Sequence, residues 1–401
     1  MSTKKILLVN LDGLTDAILL TAAVRDLQLN SMGAYQLDVY TKGMPLWDHN
    51  QYITRLDWRA VPYDGESEVE SHEFAIPKHK TKIICYDTEI QVVHCSRRGY
   101  FPASESLSNI NAYHRIHAFA HDISDKMGLS SVIPIGEQKG VVSLSDMERG
   151  WMSQVEETGN HNTYWLLSTG GSELESASWW HPSRYQRIVD EFKGKVTFVQ
   201  VGLAGENHPR IEGAIDLIGK TDLRQLVRLM YHAGGFLGAP GFLMHLSVAV
   251  PVRSFDRYGR RRAPWRPAVI IAGGREPYQW YAYEGHQILH TNGMLPCCEV
   301  GGCGKTRCET RHRLEPYPEQ LCQIAVKAER ETLLPRCLDM ISTKMVADRI
   351  KFYFVGGSTW YDDEIPKLPE DSSDSSPAKE KDGPPEQEKT EENPVEMSVF
   401  D

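Results

Sequence analysis

A carboxylate with the surroundings of a general base lies near the start of the chain. Asp16 follows an apolar run, Ile6 to Val9, and a polar turn, and it precedes a stretch from Ala17 to Leu29 with apolar residues at helical spacing. A carboxylate at the start of a helix that faces a cleft can take a proton from a substrate hydroxyl. Aspartate at this place is also a common helix cap. The segment alone leaves Asp16 open as a base or as a cap.

A glycine turn farther along has the form of an anion site. Gly241 and Phe242 open an apolar helical stretch that carries Met244 and His245. A helix that starts in such a turn presents free backbone N–H groups and the positive end of its dipole, which together suit a diphosphate. His245, about one turn into the helix, either adds a donor to this site or packs in the core.

Two more segments follow apolar runs in the same way. Thr169-Gly170-Gly171 comes after Tyr164 to Ser168, and a glycine turn after a strand lets a phosphate approach the backbone. Arg275 comes after Ala268 to Ala272. It either contacts a sugar or a phosphate, or forms an ion pair with a structural neighbour.

These residues lie at the ends of elements that alternate between strand and helix, and the pattern restarts after a connection at 143–162. Repeated β–α alternation indicates parallel sheets. We therefore predict an α/β protein with two doubly wound, Rossmann-like domains, at residues 1–145 and 160–355, facing each other across a cleft. Ligands of such sheets bind beyond the carboxyl ends of the strands, where Asp16 and the glycine turns lie.

Six of the eight cysteines fall between residues 297 and 337. A reducing cytosol disfavours disulfides, so a dense cysteine group indicates a metal site, although buried free thiols are the alternative. Thiolate ligands of this kind accept iron or zinc in a tetrahedral site. We expect a structural metal that pins the insert 297–337 onto the C-terminal domain. The candidate ligands are Cys298, Cys303, Cys308, Cys322 and Cys337.

The negative charge of the chain lies at its C-terminal end. The chain has 44 Lys and Arg against 54 Asp and Glu, a formal charge of −10, and residues 362–401 alone hold 14 acidic and 4 basic residues. The remaining body is neutral, which argues against a nucleic-acid binder with a basic surface. The tail is predicted to be disordered because it can bury little apolar surface. No apolar run is long enough for a membrane helix, and no cleavage site follows the first strand, so we expect a cytoplasmic protein without membrane insertion.

Three segments together resemble glycosyltransferase family 9, which contains the ADP-heptose:lipopolysaccharide heptosyltransferases. Residues 6–27 resemble that family's opening strand, turn and helix, residues 219–226 its Gly-Lys-Thr-x-Leu-x-x-Leu stretch, and residues 238–250 its Met-His-Leu element. The resemblance implies a GT-B fold with an N-terminal acceptor domain and a C-terminal nucleotide-sugar domain. It also implies inverting sugar transfer from a nucleotide-diphosphate donor, with ADP-heptose favoured, to a hydroxyl of a lipopolysaccharide core sugar or of a protein Ser or Thr.

The resemblance also assigns roles to residues. Asp16 would deprotonate the acceptor, and helix ends would stabilise the leaving group, so no catalytic divalent metal is expected. The family's lysine ahead of its Trp-Pro pair is replaced here by Ser178 or Trp179. The residues expected to bind the donor are Thr169, Gly170, Gly171, Gly241, Phe242, Met244, His245 and Arg275.

The cysteine group is similar to that of the bacterial autotransporter heptosyltransferases, which bind iron through four cysteines. Cys303, Cys322 and Cys337 match best, and the fourth ligand is either Cys298 or Cys308.

Two other functions stay open. One is a non-catalytic GT-B descendant that binds a nucleotide sugar or a metal, and the other is a glycosyltransferase that modifies DNA through a basic patch at Arg260-Arg261-Arg262. The sequence leaves open whether the protein is a homo-oligomer.

Overall fold

The computed structural model describes residues 3–62, 81–97, 113–253, 263–308, 320–328 and 332–354. The predicted acidic tail at 362–401 and the basic patch at 260–262 lie outside these residues. In chain order the strands and helices are β1 (Lys4–Asn10), α1 (Leu14–Asn30), β2 (Tyr35–Thr41), β3 (Trp58–Pro62), β4 (Thr81–Cys85), β5 (Ile90–His94), α2 (Arg115–Met127), α3 (Asp146–Gly150), α4 (Gln154–Glu157), β6 (Tyr164–Leu167), α5 (Pro182–Glu191), β7 (Thr197–Gln200), β8 (Ile215–Asp216), α6 (Leu223–His232), β9 (Gly235–Gly238), α7 (Phe242–Ala249), β10 (Ala268–Gly273), β11 (His286–His290), β12 (Ala325–Lys327), β13 (Leu333–Pro335), α8 (Arg336–Asp339) and α9 (Thr343–Phe354).

The N-terminal parallel sheet has the strand order β2-β1-β5. Its central strand β1 is apolar on both faces because both faces are covered. Ile6 and Leu8 belong to the same core as helix α1. Leu7 and Val9 pack on the other face, against side chains that include Trp58. That face is covered by the antiparallel ribbon of β3 and β4, which does not join the parallel sheet.

The C-terminal parallel sheet has the strand order β11-β10-β9-β6-β7-β8. Counted from β6, this is the order 6-5-4-1-2-3 of a doubly wound dinucleotide-binding sheet. The winding direction reverses between β6 and β9. Ligands of such sheets bind at that switch point, beyond the carboxyl ends of the two strands. The turns that follow β6 and β9 are Thr169-Gly170-Gly171 and Pro240-Gly241.

Local signals fix the ends of the C-terminal helices. The imidazole of His181 accepts a hydrogen bond from Ser183 N at 3.2 Å and caps α5, with Pro182 at its first position. Asp222 caps α6, since its carboxylate accepts from the backbone N–H of Gln225 at 2.7 Å. Helix α7 ends before Pro251, which cannot continue a helix.

Helices that pack on the two parallel sheets also contact each other. Helices α1 and α7 pack against each other, and Val142 N donates to Ala249 O at 3.0 Å. The strands of the N-terminal parallel sheet all precede residue 146, and those of the C-terminal parallel sheet all follow residue 159. The division into domains at 145 and 160 stays a prediction. In the part of the chain that the structure describes, no helix is long and apolar enough to cross a membrane.

Candidate functional site

Asp16 lies in the first turn of α1 and is not its cap. The helix begins at Leu14 with Gly13 as the N-cap, and the Asp16 side chain accepts a hydrogen bond from Arg97 Nε instead. Only 4% of Asp16 is exposed. Its second oxygen, Oδ2, lies beside Gly13, 4.0 Å from where a Cβ of that residue would be. The ion pair therefore occupies Oδ1, and the missing side chain at Gly13 leaves room next to Oδ2.

Polar groups line the carboxyl ends of β1 and β5 around this carboxylate. Asn10 Nδ2 donates to Cys95 O at 2.9 Å and to Asp12 Oδ2 at 3.2 Å. Ser96 Oγ donates to Asp12 Oδ2 at 2.8 Å. These bonds tie the turn after β1 to the turn after β5. Arg97 lies in the turn after β5. Asp16 follows β1 and Arg97 follows β5, so the pairing of these two strands brings the two residues together.

The turn after β6 is packed tightly against a neighbouring segment. A Cβ on Gly170 would lie 1.8 Å from Asn207 O, so only glycine fits. Gly171 N donates to Asn207 O at 3.0 Å, which occupies one of the amides that sequence reasoning left free for a phosphate. The buried hydroxyl of Thr169 accepts from Gln200 Nε2 at 2.7 Å and donates to Pro209 O at 3.1 Å. The roles of these residues in donor binding stay a prediction.

The turn after β9 is more open. At Gly241 no described atom lies within 4 Å of the position of a Cβ, and no side chain of the described residues caps α7. The first amides of an α-helix have no partner within the helix, so the start of α7 offers N–H donors. Phe242 packs partly against the core, and Met244 is fully buried in it. Of these residues, the turn at Gly241 best fits the predicted anion site.

His245 is buried one turn into α7, where its Nδ1 lies 2.6 Å from the hydroxyl of Tyr283. Its ring is 6.3 Å from that of His114, which precedes α2. Burial lowers the pKa of His245 well below its usual value, and the nearby His114 and Arg115 lower it further. Burial likewise lowers the pKa of His114 to about 3. His245 is therefore a neutral imidazole that is both packed and hydrogen-bonded.

The turn after β10 carries charged side chains to the same region. Glu276 Oε1 accepts from Arg115 Nη2 at 2.6 Å, and this guanidinium lies 5.2 Å from the ring of Trp280. Burial alone would raise the pKa of Glu276, but the charges of Arg115 and Arg275 outweigh it and lower the pKa to about 2. Arg275 Nη2 donates to Glu175 Oε1 at 3.2 Å. Arg275 thus forms the ion pair that was the alternative to a ligand contact.

Four cysteines line one small cavity, and three of them, Cys303, Cys322 and Cys337, belong to the predicted set. Its walls include Cys297, Cys303, Cys322 and Cys337, and its volume of about 10 Å³ holds about one water-sized sphere. Cys297 was missing from the predicted ligands. Among the described residues, no group of three or more His, Cys, Asp or Glu is arranged closely enough to hold a metal ion. Four thiolates are a donor set that a metal ion accepts, but the described residues are not arranged as a coordination site.

The two candidates for the fourth ligand lie next to this cavity but are not part of its wall. Cys298 Sγ donates to Thr291 O at 3.3 Å and would lie 2.8 Å from a Cβ on Gly274. Cys308 lines a different cavity, and its backbone N–H donates to Ser176 Oγ at 3.2 Å. Neither residue lines the cavity of the four cysteines, although the Cys308 thiol forms a hydrogen bond with the Cys322 thiol. Sequence spacing cannot show which of the adjacent cysteines 297 and 298 lines the cavity.

The four thiols differ in acidity. Burial, together with the neighbouring thiols, raises the pKa of Cys297 to about 12 and that of Cys337 to about 11. A hydrogen bond with Cys308 lowers the pKa of Cys322 to about 6. Metal binding requires thiolates, so an ion entering this cavity would displace protons from the buried thiols. None of the eight cysteines forms a disulfide.

A larger cavity, of about 980 Å³, lies at the start of α5. It reaches the switch point through Thr169 and Asn207, and its wall includes Trp179 and Arg187. The adjacent Trp180 is fully buried and donates from Nε1 to Ile341 O at 3.0 Å, so it packs the helix. This space adjoins the turn after β6 and is large enough for a nucleotide-sized ligand.

Sequence reasoning missed three residues of this region. Arg97 follows β5, whose apolar, β-branched run was a usable strand signal. Arg115 starts α2 and Tyr283 lies in the loop before β11. No local pattern marks either residue, because each becomes part of the site only through contacts with distant segments.

No protein-family model and no curated protein matches this sequence. Solved structures do match the fold. A glycosyl transferase family 9 protein from Veillonella parvula DSM 2008 aligns with a TM-score of 0.51 at 12% identity, over 88% of this chain and 97% of that one. The iron-containing heptosyltransferase TibC in complex with ADP-D-beta-D-heptose aligns with a TM-score of 0.50 at 13% identity, over 87% and 75%. The iron-containing glycosyltransferase TibC from enterotoxigenic E. coli H10407 gives 0.50 at 12% identity, over 87% and 76%. At these identities the likeness concerns the fold, and this chain is an α/β protein with the GT-B fold.

Proposed function

We propose that this protein is an inverting glycosyltransferase that uses a nucleotide-diphosphate sugar. The observation that carries the proposal is the packing of α1 against α7. Helix α1 carries the buried carboxylate of Asp16 in its first turn, and α7 starts at the open turn of Gly241, at the switch point of the C-terminal sheet. A candidate base and a candidate diphosphate site thus belong to two helices in contact.

The reaction follows from these two groups. Oδ2 of Asp16 takes the proton of the acceptor hydroxyl, while Arg97 holds the same carboxylate through Oδ1. The acceptor oxygen attacks the anomeric carbon as the bond to the diphosphate breaks on the opposite face. The N–H groups at Gly241 and Phe242, with His245, then hold the departing diphosphate, and the dipole of α7 stabilises its charge. This arrangement needs no catalytic divalent metal.

The donor and acceptor are proposed from fold likeness and from the turns at the switch point. ADP-heptose is the favoured donor because a structure of this fold, TibC, holds ADP-D-beta-D-heptose. The turn Thr169-Gly170-Gly171 would border the nucleotide, and Arg275 would reach a phosphate or sugar on release from Glu175. The acceptor is a hydroxyl of a lipopolysaccharide core sugar or of a protein Ser or Thr. A cytoplasmic location is part of the proposal, because a reducing compartment keeps a dense group of cysteines available as metal ligands.

We also propose a structural metal, iron or zinc, in the cavity of the four thiols. Cys297, Cys303, Cys322 and Cys337 line it and would supply four thiolates, a donor set that both metals accept. TibC, of the same fold, contains iron. Bound there, the metal would tie the segment around Cys297 and Cys303 to β12, β13 and α8. Its role would be to hold this part of the fold together, with no step of the transfer assigned to it.

The central experiment compares the native protein with Asp16→Asn. Nucleotide sugars are first screened by thermal shift, and transfer to candidate acceptors is then followed by mass spectrometry. We expect the variant to bind the donor as the native protein does and to lose transfer by at least about 100-fold, the usual size of a general-base contribution. Asp146→Asn is the matched control, because Asp146 is an exposed aspartate that also lies in the first turn of a helix. The control should keep the transfer rate of the native protein.

Three results separate the alternatives. Undiminished transfer by Asp16→Asn removes this residue from the mechanism. Donor binding without transfer or hydrolysis by the native protein supports the non-catalytic binding module. Transfer to DNA, with none to sugar or protein hydroxyls, supports the DNA-modifying enzyme.

A further inference from the structure

Tyr283 is a buried tyrosine that the proposed mechanism does not use. It lies in the loop before β11, is 8% exposed, and places its hydroxyl 2.6 Å from His245 Nδ1. Among the described residues, His245 is the hydrogen-bond partner of that hydroxyl. The bond joins this loop to the histidine that is proposed to contact the diphosphate.

The chemistry of the pair decides which group donates. A phenol has one proton to donate, whereas a neutral imidazole carries its proton on either Nδ1 or Nε2. If Nδ1 of His245 held the proton, the hydroxyl proton of Tyr283 would be buried without an acceptor among the described residues. A buried donor without a partner is costly, so the stable arrangement has Tyr283 donating to Nδ1. The proton of His245 is then on Nε2.

The pKa values of Tyr283 and His245 both favour this arrangement. Burial raises the pKa of the Tyr283 phenol, which keeps its proton. Burial lowers the pKa of His245, which keeps the ring neutral with one bare nitrogen. The Tyr283 ring is held by His114 at 4.8 Å and by His286 at 5.5 Å between ring centroids. Its hydroxyl is therefore fixed by residues that come from distant parts of the chain.

We propose that Tyr283 is a positioning residue that fixes the tautomer of His245, so that Nε2–H is available as a donor to a bound diphosphate. The inference rests on the proposed function, because it requires that His245 contacts the diphosphate. It adds a residue that does not touch the donor and acts through the imidazole alone. Fixing the second nitrogen through a hydrogen bond on the first is a general way of setting a histidine tautomer.

The test uses the full-length protein labelled with ¹⁵N-histidine, and ADP as the probe. Long-range ¹H–¹⁵N NMR reports the tautomer of His245, whose signals are assigned with His245→Ala. We expect a proton on Nε2 and none on Nδ1 in the native protein. In Tyr283→Phe we expect a mixture of tautomers, and a loss of ADP affinity of about two- to tenfold by calorimetry, the size of one hydrogen bond.

Tyr281→Phe is the matched control, because the hydroxyl of Tyr281 is also buried but has no hydrogen-bond partner among the described residues. It should change neither the tautomer nor the affinity for ADP. A proton on Nδ1 in the native protein overturns the inference, and so does a Tyr283→Phe variant that keeps both properties. If His245→Ala leaves ADP binding unchanged, the proposed role of His245 itself fails. If His245→Ala weakens binding and Tyr283→Phe does not, only the role of Tyr283 fails.

Discussion

Replacement of Glu276 by glutamine tests whether the charged contact between the turn after β10 and α2 is a main support of this region. The carboxylate accepts from Arg115 at 2.6 Å, and the side chains of Arg115 and Glu276 are only 11% and 22% exposed. Glutamine keeps the shape and removes the charge. Arg115 would then keep its contact with Trp280 but lose its counter-ion. An incompletely compensated buried charge is strongly destabilising.

The size of the effect follows from the acidity of Glu276. Its pKa falls from 4.5 to about 2 on folding, which corresponds to about 3 kcal/mol in favour of the ionised form. We therefore expect Glu276→Gln to lower the free energy of unfolding by about 2–3 kcal/mol at pH 7. Because the folded-state pKa is the lower one, this contribution is complete above about pH 4.5 and disappears as the pH falls towards about 2. The difference between native protein and variant should close over that range.

The measurement is urea unfolding of both proteins at a series of pH values. Glu175→Gln is the matched control, since Glu175 pairs with Arg275 at 3.2 Å but is 56% exposed. An exposed pair contributes little, so the control should lose no more than about 1 kcal/mol. Equal losses in the two variants would refute the reasoning. So would a difference between native protein and Glu276→Gln that stays constant from about pH 5 to about pH 2.5.

Three further predictions concern packing, metal and the tail. Gly170→Ala should lower the free energy of unfolding by about 3 kcal/mol in urea titrations, because its Cβ would meet Asn207 O at 1.8 Å, whereas Gly150→Ala, with no described atom within 4 Å, should be nearly neutral. An equal effect at both glycines would contradict this. Cys297→Ser should lower the iron or zinc content measured by plasma mass spectrometry while Cys308→Ser retains it, and the reverse result would restore Cys308 as the ligand. Deletion of residues 362–401 should leave the transfer rate unchanged, and a large loss of rate in a kinetic assay would show that the tail takes part.

Local sequence signals predicted the elements that carry the site. The apolar run from Ile6 to Val9 predicted β1, and the helical spacing after it predicted α1. The helix begins at Leu14, ahead of Asp16, which the sequence left open as a base or as a cap. The cap of α6 is equally local, since Asp222 binds a backbone N–H within the first turn of its own helix. Such signals work because the hydrogen bonds and burial behind them involve residues close in the chain.

Contacts between distant segments needed the tertiary structure. Arg97 on Asp16 joins residues 81 positions apart, and the hydroxyl of Tyr283 meets His245 across 38 positions. Strand order decided the first, because β1 and β5 are neighbours in the sheet. Packing around the start of α2 decided the second. Neither contact has a period or a spacing that a single sequence displays.

The cysteines show the same division of information. The sequence by itself determined that thiols are concentrated in one segment, that the fold is built from β–α alternation, and that Asp16 and Gly241 lie at the ends of strands. Only the tertiary structure decided that Cys297, and not Cys298 or Cys308, lines the cavity with the other three thiols. The physical reason is that composition and periodicity indicate which residues of a helix or a strand face the core. The direction of a side chain in an irregular loop is set by whatever distant segment packs against it.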